Sequence, residues 1–295
     1  MKKTGFIAIV GRPNVGKSTI LNALLGEKIA IVSKKPQTPR TRISGILTTG
    51  ENQYVFLDTP GMHKPKNKLG DYMVKAASGA IGEVDAAILV VESGSKPGPT
   101  EIEIIEKFKS NKIPAVLAVN KLDASNPEAL GKTITLFADL YNFAAVVPMS
   151  AIKNKGTDIL LEECSQFLNE EEWYFPEDMI TDQPERQIVA EIIREKLLRT
   201  LSEEIPHGTA VVVEAFEESS KIIKIRAEIF CEKASHKRII IGKGGQALKT
   251  VGTYAREDLE AFLGTKVFLD LWVKVKENWR DSNYNLSSFG FKLDN

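Results

Sequence analysis

The sequence predicts an α/β doubly wound domain followed by a smaller α+β domain, and three observations carry that expectation. Over residues 6–167, short β-branched runs (FIAIV, YVFLD, AAILVVE, AVLAVN, AAVVPMS) alternate with amphipathic stretches such as TILNALL, the pattern of strands covered by helices on both faces. Residues 169–184 then lose all periodicity and gain acidic residues and two prolines, as a domain boundary does. Beyond it the order reads α-β-β-α-α-β. A helix is expected over 188–201, strands over 209–216 and 222–230, and a short helix over 235–241. In the longer helix that follows, Leu248, Val251, Ala255, Leu259 and Phe262 share one face. In the last strand Val267, Leu269, Leu271, Val273 and Val275 alternate strictly, which predicts one covered face. The expected limits are 4–171 for the first domain, 172–198 for a linker and leading helix, 199–278 for the second domain and 279–295 for a tail.

A chain of 295 residues is long enough for two domains with their own cores. With 43% apolar and 26% charged residues it reads as globular. Its 39 basic and 39 acidic side chains cancel, so an anionic partner has to be met by a local patch. The apolar run of the opening MKKTGFIAIVGR ends at Val10, too short for a secretory signal, and the next clean stretch, 86–91, is far below the ~20 residues that span a bilayer. A cytoplasmic protein is expected. Cys164 and Cys231 belong to no metal or redox spacing and are expected to be buried, reduced thiols.

The string Gly11-Arg12-Pro13-Asn14-Val15-Gly16-Lys17-Ser18 follows the first strand and precedes a helix beginning near Thr19. Backbone N–H groups in such a loop wrap phosphates, aided by the positive end of the helix. Lys17 is placed to reach the β- and γ-phosphates, and the Ser18 hydroxyl to hold Mg²⁺. Asp58-Thr59-Pro60-Gly61 ends the strand YVFL, which delivers the Asp58 carboxylate to the same sheet end, where it holds Mg²⁺ through water. Gly61 permits the close backbone approach with which its N–H senses the γ-phosphate.

Asn120-Lys121-Leu122-Asp123 and Ser150-Ala151 end two further strands. The two acceptor oxygens of Asp123 suit the N1–H and 2-amino donors of guanine, whereas adenine leaves a carboxylate there unpaired. Asn120 is expected to tie base and loop together, the Lys121 stem to lie along the ring, and the Ala151 N–H to meet O6. The ligand expected is therefore GTP or GDP.

With these motifs in this order, the chain resembles a GTPase of the Era type. GRPNVGKS, DTPG and NKLD match that family over the first 170 or so residues, and PERQIVAEIIREKLL, IIIGKGG and DLWVKVKENWRD extend the resemblance over essentially the whole chain. The fold implied is a doubly wound P-loop GTPase domain followed by a KH domain of type II.

The basic, proline-interrupted stretch 31–43 is the expected first switch, where a hydroxyl coordinates Mg²⁺ only when the γ-phosphate is present. The family pattern PQTTR has its ligand threonine where this chain has Pro39, so either Thr38 or Thr41 takes its place, with Thr38 preferred, or switch closure is weaker than in relatives. Lys17, Thr38, Asp58 and Gly61 are then the candidate catalytic groups. Met62 stands where many small GTPases carry a water-orienting glutamine, so slow unassisted turnover is expected. His63 is read as a solvated loop residue, and 62–70 as the second switch.

Gly242-Lys243-Gly244-Gly245 between two helices has the form of the GxxG loop with which KH domains clamp single-stranded nucleic acid. From Lys233 to Arg256 the basic residues Lys237, Arg238, Lys243 and Lys249 fall among no Asp or Glu, the local patch required above. Phe268 and Trp272 share a strand face with Lys274 and Lys276; they are expected to pack against a helix rather than to stack bases. The resemblance implies the 3′ end of 16S rRNA as the RNA, a role in rRNA processing and assembly of the 30S subunit, a monomeric state, and loose association with the inner face of the cell membrane. A metabolic phosphotransferase using the same loop is disfavoured by NKLD and DTPG, and an RNA-binding protein with a vestigial nucleotide site by Lys17, Ser18 and Asp58.

Overall fold

The computed structural model describes residues 1–32, 43–59, 67–73, 84–201 and 205–291. They form two compact units, with 1–65 and 70–182 in the first and 66–69 and 183–295 in the second.

The first unit is built on a six-stranded sheet of order β2-β3-β1-β4-β5-β6. Its strands are β1 (Lys3–Val10), β2 (Ile43–Thr49), β3 (Asn52–Asp58), β4 (Ala86–Glu92), β5 (Ala115–Asn120) and β6 (Ala145–Pro148). All neighbours are parallel except β2 and β3, which form an antiparallel hairpin. The parallel strands carry alternating residues into two cores, which is why they read as unbroken apolar runs. Ile7, Ile9, Phe56, Ile88 and Val116 meet Ile20, Leu21 and Leu24 of α1 (Lys17–Leu25) and Leu160 and Cys164 of α4 (Thr157–Ser165). On the opposite face Ala8, Val10, Leu89, Val91 and Leu117 meet Ile104, Ile105 and Phe108 of α2 (Pro99–Asn111) and Phe137 of α3 (Pro127–Ala138).

Strand β2 had no counterpart among the runs read as strands. Its ISGILTT is diluted by Ser, Gly and Thr, as suits an edge. Gly45 is a matter of space: a Cβ there would stand 2.6 Å from Leu21 and 2.8 Å from Leu25, so the glycine lets α1 lie against the hairpin.

Residues on either side of 172, where the linker is expected to begin, are hydrogen-bonded to the first unit. Asn169 exchanges backbone hydrogen bonds of 2.9 Å with Thr4. The Gln53 amide donates to Phe175 O at 2.8 Å and accepts from Phe175 N at 3.1 Å, and Ile46 N donates to Ile180 O at 2.9 Å. A buried amide that meets both polar groups of one peptide leaves nothing unsatisfied, which fixes the chain there.

The second unit has a three-stranded sheet of order β7-β8-β9, with β7 (Ala210–Glu217) antiparallel and β9 (Lys266–Val275) parallel to β8 (Ile222–Cys231). Its helices are α5 (Glu185–Thr200), α6 (Ala234–Ile241) and α7 (Gln246–Leu263). One sheet face packs Ile225, Ala227 and Ile229 against Val189, Ile193 and Leu197 of α5 and Val251, Ala255 and Leu259 of α7. Because β9 turns Val267 and Val273 to this core, its two-residue period turns Phe268 and Trp272 the other way, and both are 58% exposed. This corrects the expectation that these two rings pack against a helix.

The tail is also part of the second unit. Trp279 is fully buried and donates from Nε1 to Gly208 O at 3.1 Å; its ring meets Phe289 at 5.4 Å and Phe291 at 6.3 Å, and Phe289 stacks on Phe230 of β8 at 4.5 Å. Phe289 directly follows α8 (Asn283–Ser288), whose first turn is capped by Ser282. Trp279→Ala should lower the opening free energy of the β8 amides by about 3–5 kcal/mol, the usual cost of truncating a buried aromatic. Hydrogen exchange reads this directly, and a loss below about 1 kcal/mol would make the tail an ornament of the fold.

Candidate functional site

The phosphate loop joins β1 to α1, and its backbone admits only particular residues. Gly11 has φ +146° and Gly16 φ +106°, where side chains are strained. A Cβ on Gly16 would also lie 2.3 Å from Asn120 Nδ2, and one on Gly11 2.4 Å from Val90 O. Val15 sends its side chain into the core, so only its backbone serves the loop. Asn14 takes φ +68°, a conformation asparagine tolerates, at the exposed crest beside Pro13. Arg12 forms an ion pair with Glu101, a fully buried carboxylate at the start of α2 that also accepts from Gly98 N at 3.0 Å. That pair ties the loop to the next helix and was not foreseen, because Arg12 and Glu101 are far apart in the chain.

Lys17 is 5% exposed and its Nζ donates to Gly11 O at 3.1 Å and Arg12 O at 3.0 Å, which folds the ammonium back over the loop. Ser18 Oγ donates to Asp58 Oδ2 at 2.6 Å, and Asp58 is wholly buried. Burial pushes the Lys17 ammonium down to about 8, against the opposing pull of Asp58, and pushes the Asp58 carboxyl up to about 6, against Lys17 and Ser18. Desolvation therefore works against both charges, and each gains from an added opposite charge: an anion for Lys17, a cation for Asp58. Asp58 Oδ1 is buried with no hydrogen-bond partner among the described residues. An orphaned carboxylate oxygen beside a serine hydroxyl is a donor set of hard oxygens, and it fits Mg²⁺. Thr59 donates its hydroxyl to Ile9 O at 3.0 Å, so that side chain anchors β3 to β1. Thr19 is partly exposed on the first turn of α1. Pro60, Gly61, Met62, His63, Thr38, Pro39 and Thr41 lie outside the described residues.

The motifs expected to read the base converge on the same loop. Asn120 is 3% exposed; its Nδ2 donates to Val15 O at 2.9 Å, and its Oδ1 accepts from Ala151 N at 3.0 Å. One amide thus joins three sequence-distant segments. Lys121, at φ +65°, donates to Asn14 O at 2.8 Å and pairs with Glu92, so its stem runs back over the loop crest. Asp123 is exposed and accepts from the buried Ser150 hydroxyl at 2.5 Å. That hydrogen bond, first among its causes, holds the carboxyl below the usual range. The carboxylate is thereby ionised and aimed, as a receiver of two parallel N–H donors requires. Glu92 and the role of Ser150 were missed in the sequence; the only signal was their position at strand ends.

In the second unit Gly242 (φ +74°) ends α6, and Gly244 (φ +58°) and Gly245 (φ +79°) lead into α7. A Cβ on Gly242 would stand 2.7 Å from Ala247 Cβ, while Gly244 and Gly245 face open space. Lys237 and Arg238 lie on α6, exposed Lys243 within the loop, and exposed Lys249 on the first turn of α7. The loop opens on a cleft of about 330 Å³ between α7 and β9, lined by Gly245, Lys249, Gly252, Arg256, Leu269 and Leu271. Gly252, Leu269 and Leu271 join the site only through the packing of helix on strand. No helix of the described residues is long and apolar enough to cross a membrane, and they hold no cluster of His, Cys, Asp and Glu suited to a metal.

Comparison with known proteins follows the same division. A family model described as 50S ribosome-binding GTPase matches residues 6–121, and one described as KH domain matches 204–280. The chain is 51% identical over 293 residues to the GTPase Era of Clostridium botulinum, covering 99% of both chains. It is likewise 51% identical over 292 residues to that of Alkaliphilus metalliredigens, covering 98% of this chain and 99% of the relative. Among solved structures it resembles an Aquifex aeolicus Era variant bound to GDP and AlF4⁻, with a TM-score of 0.94 and 39% identity over 99% of this chain and 100% of that one. It also resembles Era in complex with MgGDPNP and nucleotides 1506–1542 of 16S ribosomal RNA, with a TM-score of 0.93, 38% identity and the same coverage.

Proposed function

Since the chain belongs to the Era family of GTPases, we propose that it binds GTP with Mg²⁺, hydrolyses it to GDP and phosphate, and in that cycle holds the 3′ end of 16S rRNA during rRNA processing and 30S assembly. The observation that carries the nucleotide half is Asn120, whose single amide fastens the phosphate loop through Val15 to the base-reading loop through Ala151. Phosphate grip and guanine recognition are thereby one rigid assembly. The amides of 11–18 and the Lys17 ammonium hold the phosphates, and Asp123, aimed by Ser150, receives the guanine N1–H and 2-amino group. Ser18 and Asp58 would hold Mg²⁺, which when bound neutralises charge building on the phosphate oxygens. Met62 stands where many small GTPases carry a water-orienting glutamine, so turnover without a partner is slow, on the order of 10⁻⁴ to 10⁻² s⁻¹.

The RNA half rests on the GKGG loop and the cleft beside it, with Lys237, Arg238, Lys243 and Lys249 supplying charge at its mouth. Domain limits follow the two units, with α5 as part of the RNA-binding unit. The same reading makes the protein a cytoplasmic monomer that associates loosely with the inner face of the membrane. Titration calorimetry tests the core of it: with magnesium, GTP and GDP should bind at least about 100-fold more tightly than ATP, since a site with a buried polar reader rejects the mismatched base strongly. Absence of heat for GTP and GDP at millimolar concentration would end the proposal.

A further inference from the structure

The edge strand β9 has two sides, and the cleft uses only one of them. Leu269 and Leu271 line the cleft, while Phe268 and Trp272 stand on the opposite side of the same strand, each 58% exposed. Folding leaves two large rings in water there, about 13 Å apart along the strand at roughly 3.3 Å per residue. The tail aromatics leave both rings exposed: Phe289 stacks on Phe230, which lies opposite Lys274, one pair beyond Trp272 on this face.

The ring of Trp272 is held in a set orientation. Its Nε1 donates to Asp270 Oδ2 at 2.9 Å, and Arg226 on β8 meets the same carboxylate at 3.4 Å. The indole N–H is thus satisfied and the π face is left for a partner. Of the further carboxylates on this face, Glu228 is paired with Lys274, and exposed Glu217 of β7 stands opposite Lys224 in the register. Lys224, which lies opposite Phe268, and Lys276 just past the strand are exposed and form no ion pair among the described residues. The face therefore presents two aromatic rings with lysine ammonium groups nearby, groups that suit unpaired bases on a phosphate chain.

We propose that RNA held in the cleft crosses the β9 edge, and that two of its bases stack on Trp272 and Phe268 on the outer face. This rests on the cleft being the RNA site. What favours RNA over a protein partner is continuity: the two rings belong to the strand that forms one wall of the cleft. A KH loop clamps about four nucleotides, so the outer face takes the nucleotides beyond them.

The test compares nested single-stranded segments of the 16S rRNA 3′ end, read by fluorescence anisotropy with the full chain. On a segment of about four nucleotides, Phe268→Ala/Trp272→Ala should match the unaltered protein. On one of about 14 nucleotides it should bind at least about 10-fold more weakly, given about 1–3 kcal/mol per stacked base. Phe268→Tyr/Trp272→Tyr should retain most of the long-segment affinity, since tyrosine still stacks. Equal affinity at every length overturns the proposal, as does an equal loss on short and long segments. Unchanged RNA affinity with weakened capture on the small subunit would assign the rings to a ribosomal protein and also overturn it. Gly244→Asp separates the premise: if that variant still binds the short segment, the cleft is not the RNA site and the outer-face path falls with it.

Discussion

Asp123→Asn should lower GTP affinity by about 10²- to 10⁴-fold, because two charge-assisted hydrogen bonds worth about 1.5–3 kcal/mol each are lost or inverted. The amide still accepts from Ser150, which now donates at 2.5 Å to the carboxylate, so the side chain keeps its aim. Its NH₂ group then meets the guanine donors head-on. Xanthosine triphosphate carries a 2-oxo group in place of the amine and should regain most of the lost affinity. Asp123 is exposed in the free protein, so the substitution leaves folding untouched and the change can be read as base selection. Competition of the two nucleotides for the variant, followed by calorimetry, measures it. An unaltered preference for guanine would show that another group reads the base.

The second large effect is expected at Gly16. Alanine there faces two costs at once: a φ of +106°, worth about 1–3 kcal/mol of strain, and a Cβ only 2.3 Å from Asn120 Nδ2. The asparagine has to withdraw, and in withdrawing it releases Val15 O on one side and Ala151 N on the other. Loop and base reader are then uncoupled, and affinity for GTP and GDP should fall by about 100-fold or more. Gly50→Ala is the matching control. It too has positive φ, +57°, but faces open space in the β2–β3 turn, so it should cost about 1 kcal/mol in stability and leave affinity unchanged. If both alanines act alike on affinity, steric conflict with Asn120 is not what makes glycine necessary at position 16.

The candidate nucleotide site could be proposed before any coordinates because its parts are short contiguous strings. Each string is set by local backbone demands: glycine where φ is positive, a lysine at the first position of a helix, a carboxylate at a strand end. What joins those strings was not legible. The pairs Arg12–Glu101, Lys121–Glu92 and Asp123–Ser150 each connect residues separated by 27 positions or more, and their side-chain types are ordinary at such positions. The order of the second unit was readable for a similar reason, since the periodicities over 246–263 and 266–275 are unambiguous.

Strand β2 escaped notice because edge strands pack on fewer sides and so tolerate Ser, Gly and Thr. The outward turn of Phe268 and Trp272 escaped it for a different reason. Alternation tells which residues share a face of β9, but aromatic rings on one face and aliphatic residues on the other are equally plausible cores. The choice fell to Val267 and Val273 because α5 and α7 cover that side.

The sequence by itself carried the expected chemistry of this protein in short strings: a phosphate loop that includes Ser18, a strand end that carries Asp58 40 positions on, a string suited to guanine and a glycine loop. Only the tertiary structure decided how these parts are braced and which surfaces remain open. Bracing depends on distant side chains that meet once the sheet has formed, as at Asn120. Openness depends on which face of β9 the helices cover, and so on packing between elements rather than on pattern within any one of them.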